Sequence, residues 1–112
     1  MSAEIQLFIL PFSGAKAAQF DAFCSDLGAE IITFAIEYAG RGRRANEPYY
    51  TEYNSFIKDV YKCIKDHRDN TIPYALLGYS IGGYFAYDLL AKCYLKEEPS
   101  HLFICACENN KE

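Results

Sequence analysis

The chain has 112 residues, 51% of them hydrophobic and 23% charged. That balance suits a single domain with a real core and excludes a disordered or collagen-like chain. A formal net charge of −4 argues against nucleic acid as a main partner.

Ile5 to Leu10 reads as a short buried strand that Pro11 ends. The loop Phe12-Ser13-Gly14-Ala15 follows, then a helix carrying Phe20, Phe23, Cys24 and Leu27 on one face, with Gly28 as its C-terminal stop. Glu30 to Ile36 is a second strand, so the chain opens as strand, helix, strand, the unit of a parallel sheet. Tyr38 to Pro48 is a loop with an Arg41-Gly42-Arg43-Arg44 cluster. A long helix comes next, with Thr51 at its N-cap, Glu52 in its first turn, and Tyr53, Phe56, Ile57, Val60 and Ile64 at helical spacing. The polar turn Arg68-Asp69-Asn70 leads into a third strand, Tyr74 to Leu77.

That strand breaks at once into Gly78-Tyr79-Ser80-Ile81-Gly82-Gly83, and a helical pattern with Phe85, Leu89 and Leu90 on its core face then runs to about Leu95. Strand, sharp turn, helix is the setting of a nucleophile elbow. Ser80 sits where the chain reverses, so its hydroxyl is pushed clear of the sheet. Gly78 and Gly82, lacking a Cβ, allow strand and helix to close around it. The N–H of Ile81, at the helix start, points where an oxyanion would form. The five-residue pattern also occurs in plain Gly-rich connections, and the flanking strand and helix are what favour the elbow. His101 to Cys107 reads as a fourth strand after the break at Glu97-Glu98-Pro99.

Four strands alternating with three helices imply a doubly wound parallel α/β sheet, whose ligands bind at the carboxyl ends of the strands. Three loops meet there: Phe12 to Ala15, Tyr38 to Arg44, and the turn at Ser80. The five cysteines fall on apolar positions and read as reduced thiols. Cys105-Ala106-Cys107 has no second pair beside it, so neither a metal nor a cofactor is expected. Met1-Ser2-Ala3-Glu4 has no basic n-region and no apolar run spans a membrane, so the expected location is cytoplasmic.

Four stretches taken together, Leu10-Pro11-Phe12-Ser13-Gly14, Gly40-Arg41-Gly42-Arg43-Arg44 with Glu47-Pro48, Pro73 to Gly83, and His101-Leu102-Phe103, resemble the type II thioesterases. These are stand-alone α/β-hydrolases associated with polyketide and nonribosomal peptide synthesis, with a relative in fatty-acid synthesis. The resemblance implies hydrolysis of acyl groups held as thioesters on the phosphopantetheine arm of an acyl or peptidyl carrier protein. It makes Ser80 the nucleophile, and places the oxyanion between the N–H of Ile81 and that of Ser13 or Phe12. Tyr79 stands where His is common in the family, Ala15 where a second Gly is common, and Ala39 where Pro usually precedes Gly-Arg-Gly.

The family's acid and histidine lie beyond Glu112, so residues 1–112 read as the amino-terminal part of one hydrolase domain, inactive by itself. His67 and His101 both fall at the amino-terminal edge of the sheet, away from Ser80. Asp88 points away from the reaction. Glu37 and Glu108 follow strands and lie at the right edge, but no histidine follows Glu108. Leu102 to Cys105 would form an apolar sheet edge. Arg41, Arg43 and Arg44 are either a solvated turn capping nearby carboxylates or a contact for an acidic carrier protein. Two other functions share this sequence pattern: a general esterase or acyltransferase, and a non-catalytic module that binds a carrier protein.

Overall fold

A computed structural model describes residues 4–12, 14–92 and 95–105. Four strands, β1 (Ile5–Leu10), β2 (Ile31–Ala35), β3 (Tyr74–Tyr79) and β4 (His101–Cys105), form one parallel sheet in the order β2-β1-β3-β4. Three helices connect them: α1 (Asp21–Ser25), α2 (Tyr53–His67) and α3 (Gly82–Ala91).

Alternation along the strands divides the core in two. Phe8, Leu10, Tyr74 and Leu76 face one side with Phe56, Ile57, Val60 and Ile64 of α2 and Ala86 and Leu89 of α3. Leu7, Ile9, Ala75 and Leu77 face the other, against Phe20 and Ala15. Helices on both faces make the expected doubly wound sheet, and the strand order reverses direction at β1. The chain moves from β1 to β2 on one side, then crosses to β3 on the other. Loops leaving the carboxyl ends of β1 and β3 therefore flank a crevice, the usual place for a ligand in such sheets.

Several boundaries differ from the sequence reading. The first helix is shorter: residues Ala17–Phe20 form a 3-10 turn, α1 adds one and a half turns, and Phe23 remains 41% exposed. Gly28 does follow the last turn with a φ of +91°, the left-handed conformation a helix stop favours. At α2 the N-cap is Glu52, not Thr51: Glu52 is extended, and its C=O accepts the first helical bond from Phe56. β3 continues past Leu77 to Tyr79 because Gly78 and Tyr79 still pair with Ile104 and Cys105 on β4. α3 ends at Ala91, short of Leu95. The predicted end of β4, Ala106 and Cys107, lies outside the described residues, as does Glu108. No helix among the described residues is long and apolar enough to cross a membrane.

Candidate active site

Ser80 occupies the turn between β3 and α3 and has a φ of +58°, unlike any other described non-glycine residue. A side chain held in that region signals a backbone constrained by its surroundings. The constraints are visible. The Ser80 N–H donates to the C=O of Cys105 at 2.8 Å, which extends the β3–β4 ladder by one residue. The Ser80 C=O accepts from Gly83 at 3.0 Å, the first bond of the following helix.

The two glycines are required by contact. A Cβ on Gly78 would lie 2.4 Å from the carbonyl oxygen of Gly82, and one on Gly82 would lie 2.0 Å from that of Leu10. So strand, helix and the end of β1 meet here backbone to backbone.

Ser80 is exposed, and its hydroxyl has no hydrogen-bond partner among the described residues. Ile81 is the N-cap of α3, and its N–H has none there either. A free N–H at the start of a ten-residue helix, next to an exposed hydroxyl, suits a developing negative charge.

Across the crevice, the loop after β1 begins at Pro11 and Phe12. The Phe12 ring packs between Phe20 (6.2 Å) and Tyr79 (5.7 Å), and its C=O accepts from Ala15 at 3.1 Å. Gly14 takes a φ of +83°. Ser13, the other candidate donor of an oxyanion N–H, lies outside the described residues.

Neither histidine is near Ser80. His67 stacks on Phe34 at 4.1 Å, its ring Nδ1 lies 2.8 Å from the Cys63 carbonyl, and its own C=O accepts from Gln6. Gln6 pairs with Tyr74, at the opposite end of β3 from the turn. His101 pairs with Ala75 and sits about 13 Å along β4 from Cys105, at ~3.3 Å per residue. A general base needs about 3 Å. Asp88 is occupied, accepting from the Tyr53 hydroxyl at 2.6 Å.

The arginines divide. Arg44 holds Glu47 through two bonds of 2.7 and 2.9 Å, Asp59 at 2.8 Å, and the Glu37 carbonyl at 2.8 Å. It fastens the loop to α2, and its hydrogen bonds raise its own pKa and lower that of Glu47. Arg41 lies over the Tyr49 ring at 5.0 Å, and the Arg43 side chain is 65% exposed.

Two cavities flank this region. One of about 430 Å³ opens at the carboxyl edge between Gly14, Tyr38, Arg41, Tyr49, Tyr53 and Phe85. A larger one, about 800 Å³, follows the edge of β2 beside Phe34, Cys63 and His67, and neither cavity is lined by a residue of the turn at Ser80. Among the described residues no cluster of histidines, cysteines and carboxylates could hold a metal ion.

Sequence reasoning missed the roles of Glu37 and Tyr38. Glu37 is 3% exposed, and its carboxylate accepts the N–H groups of Ala17 (2.8 Å) and Arg43 (3.2 Å). Tyr38 donates its hydroxyl to the Pro11 carbonyl at 2.8 Å. The available signal was an acidic residue directly after a strand, at the carboxyl edge.

Comparison with known proteins finds relatives along most of the chain. The family model "Thioesterase domain" matches residues 5–112. The AMB antimetabolite synthetase AmbE of Pseudomonas aeruginosa is 33% identical over 89 residues, 80% of this chain and 4% of that protein. The medium-chain S-acyl fatty acid synthase thioesterase of Anas platyrhynchos is 29% identical over 107 residues, 91% of this chain and 41% of that one. The crystal structure of ClbQ, from the colibactin NRPS/PKS pathway, superposes with a TM-score of 0.82 at 29% identity, covering 98% of this chain and 48% of its own. The chain thus spans less than half the length of each of these relatives.

Proposed function

The chain belongs to the thioesterase domain family, and from that membership and the geometry at Ser80 we propose that it forms the nucleophile side of a serine thioesterase. Its substrates are acyl groups carried as thioesters on the phosphopantetheine of an acyl or peptidyl carrier protein, in nonribosomal peptide or polyketide synthesis. The observation that carries this reading is the left-handed, exposed Ser80 beside the free N–H of Ile81. Ser80 Oγ attacks the thioester carbonyl, and the oxyanion rests between the N–H of Ile81 and that of Phe12 or Ser13. Collapse of the adduct expels the pantetheine thiol, and water then attacks the acyl-serine to release the acid and regenerate the hydroxyl. The base and acid that activate Ser80 come from residues outside the described ones, since His67 and His101 are held at the other end of the sheet. Arg43, exposed, and Arg41, half-buried over Tyr49 at the same edge, are the contacts offered to an acidic carrier.

The test is hydrolysis of an acyl-pantetheine thioester by the protein its full reading frame encodes, against Ser80→Ala. Loss of more than about a thousandfold is expected, as for removal of a nucleophile that works with a base. Activity retained above that level overturns the assignment. Preference for simple oxygen esters would instead favour a general esterase. The distance of both histidines from Ser80 also favours a second reading, a module that binds the carrier without turnover. Carrier binding with no Ser80-dependent hydrolysis would establish it.

A further inference from the structure

We propose that Glu37 and Tyr38 form a positioning clamp on the loop after β1, one residue holding each end, so that the loop keeps a single arrangement beside the crevice at Ser80. The inference rests on the thioesterase reading of Ser80 for its consequence in catalysis, though not for the clamp itself. Both side chains are nearly out of water, at 3% and 6% exposure. A carboxylate placed there must be matched by hydrogen bonds, because an uncompensated buried charge is strongly unfavourable. Glu37 meets that need with main-chain donors: one oxygen takes the Ala17 N–H at 2.8 Å, the other the Arg43 N–H at 3.2 Å, with the Arg43 guanidinium 4.0 Å away. A Cβ on Gly42 would lie 2.3 Å from the Glu37 carboxylate, so the arginine loop closes directly onto it.

Tyr38 holds the other end. Its hydroxyl donates to the Pro11 carbonyl at 2.8 Å, while its ring is fixed against Phe56 (5.2 Å) and Phe85 (6.1 Å). Burial pushes the phenol well above the usual tyrosine range, so it keeps its proton to donate. Pro11 is in turn beside the nucleophile helix: a Cβ on Gly82 would lie 3.1 Å from that same carbonyl oxygen. The chain from Pro11 to Ala17 is therefore pinned at both ends by consecutive residues of another strand's exit. It has a glycine at φ +83° and an inner turn from Ala15 to Phe12 between the pins. Donors of an oxyanion site must be aimed before the reaction to be effective, and a clamp that takes no part in the chemistry provides the aim.

Tyr38→Phe removes only the hydroxyl, and Glu37→Gln removes the charge and turns one of the two accepting oxygens into an NH2 donor, in the protein its full reading frame encodes. Ile64→Val, in the core near the far end of α2, is the control for general destabilisation. Amide hydrogen exchange is read residue by residue, with kcat and KM on an acyl-pantetheine thioester. In both clamp variants, exchange across residues 12–17 should quicken about tenfold or more relative to β3, as for a local opening. kcat should fall about 10- to 100-fold with KM within about threefold, as misplacement of reacting groups predicts. Ile64→Val should lower the unfolding midpoint and change neither. Loop exchange equal to that of the parent, exchange raised uniformly along the chain, or an unchanged kcat with a loosened loop overturns the proposal. If Ser80→Ala hydrolyses as well as the parent, the thioesterase reading fails and loop exchange alone decides the clamp.

Discussion

Gly82→Ala puts the closure of the turn at Ser80 to a direct test. The new methyl would start 2.0 Å from the Leu10 carbonyl oxygen and 3.1 Å from that of Pro11. Carbon atoms in contact rest about 3.5–4.0 Å apart, so β1 and α3 must separate by well over an ångström. Neither partner is a side chain that can rotate away. Overpacking costs about 1–3 kcal/mol, and a backbone-to-backbone clash falls at the upper end. Alanine returns roughly 0.5–1 kcal/mol by its better helix propensity, leaving a net loss of about 2 kcal/mol. At about 4–8 °C per kcal/mol for a domain of this size, the unfolding midpoint should fall by roughly 8–16 °C. Gly83→Ala is the matched comparison, one residue along the same helix. Its methyl would meet the Ile104 Cγ2 at 2.8 Å, and Ile104 is 56% exposed and free to yield. There the helix gain offsets the contact, and the change should stay within about 1 kcal/mol. Thermal and urea unfolding of both variants measure the difference. Equal midpoints would refute the reasoning, because propensity and position are nearly the same and only the identity of the blocking atom differs.

Arg44→Met should cost about 2 kcal/mol, since Arg44 is the charged donor to Asp59 and the Glu37 carbonyl; adding Asp59→Asn should cost less than the sum of the two, measured by a double-mutant cycle. Burial pushes the Tyr50 and Tyr74 phenols up to about 12. The unfolded chain therefore loses those protons first, and their contribution, fully present below about pH 10, should disappear between about pH 10 and 12. Unfolding midpoints and phenolate absorbance followed together across that interval check it, and stability that rises there would contradict it. Arg41→Ala with Arg43→Ala should slow hydrolysis of a carrier-bound acyl group about tenfold or more and leave a small acyl thioester within about twofold, as loss of exposed steering charge predicts. Equal losses on both substrates would remove the carrier contact.

The sheet was legible because its strands are short apolar runs ended by proline, glycine or polar turns, and the turn at Ser80 because its two glycines are sterically obligatory. Helix bounds were less so. Thr51 and Glu52 are both plausible before an apolar helix, and the choice depends on which carbonyl Phe56 reaches. Phe23 has the spacing of a core residue, yet its helix stops after five residues and leaves the ring half outside. The arginine cluster shows the limit most plainly. Three residues of one type in four positions cannot reveal that Arg44 turns inward to Asp59 while Arg43 stays in water. Nor could sequence place Glu37 against Ala17, twenty residues earlier, since that bond exists only once β1 and β2 are paired.

The pieces that shape the turn at Ser80 come from three adjacent strands, and the outermost of them is the most exposed. Phe103 is 47% and Ile104 56% exposed, the apolar edge that the sequence led us to expect. Yet the last carbonyl of β4 holds the Ser80 N–H, and Ile104 lies against Gly83 at the start of α3. A left-handed serine costs about 1–3 kcal/mol and persists only while its neighbours enforce it. Gly78, Gly82 and the Leu10 carbonyl supply that constraint from the buried side, and the Cys105 carbonyl supplies it from the edge. The end of β4 therefore helps to shape the turn at Ser80 through its main chain. If β4 frays at Cys105, Ser80 loses the hydrogen bond that fixes its N–H, and with it one of the constraints that hold its backbone left-handed.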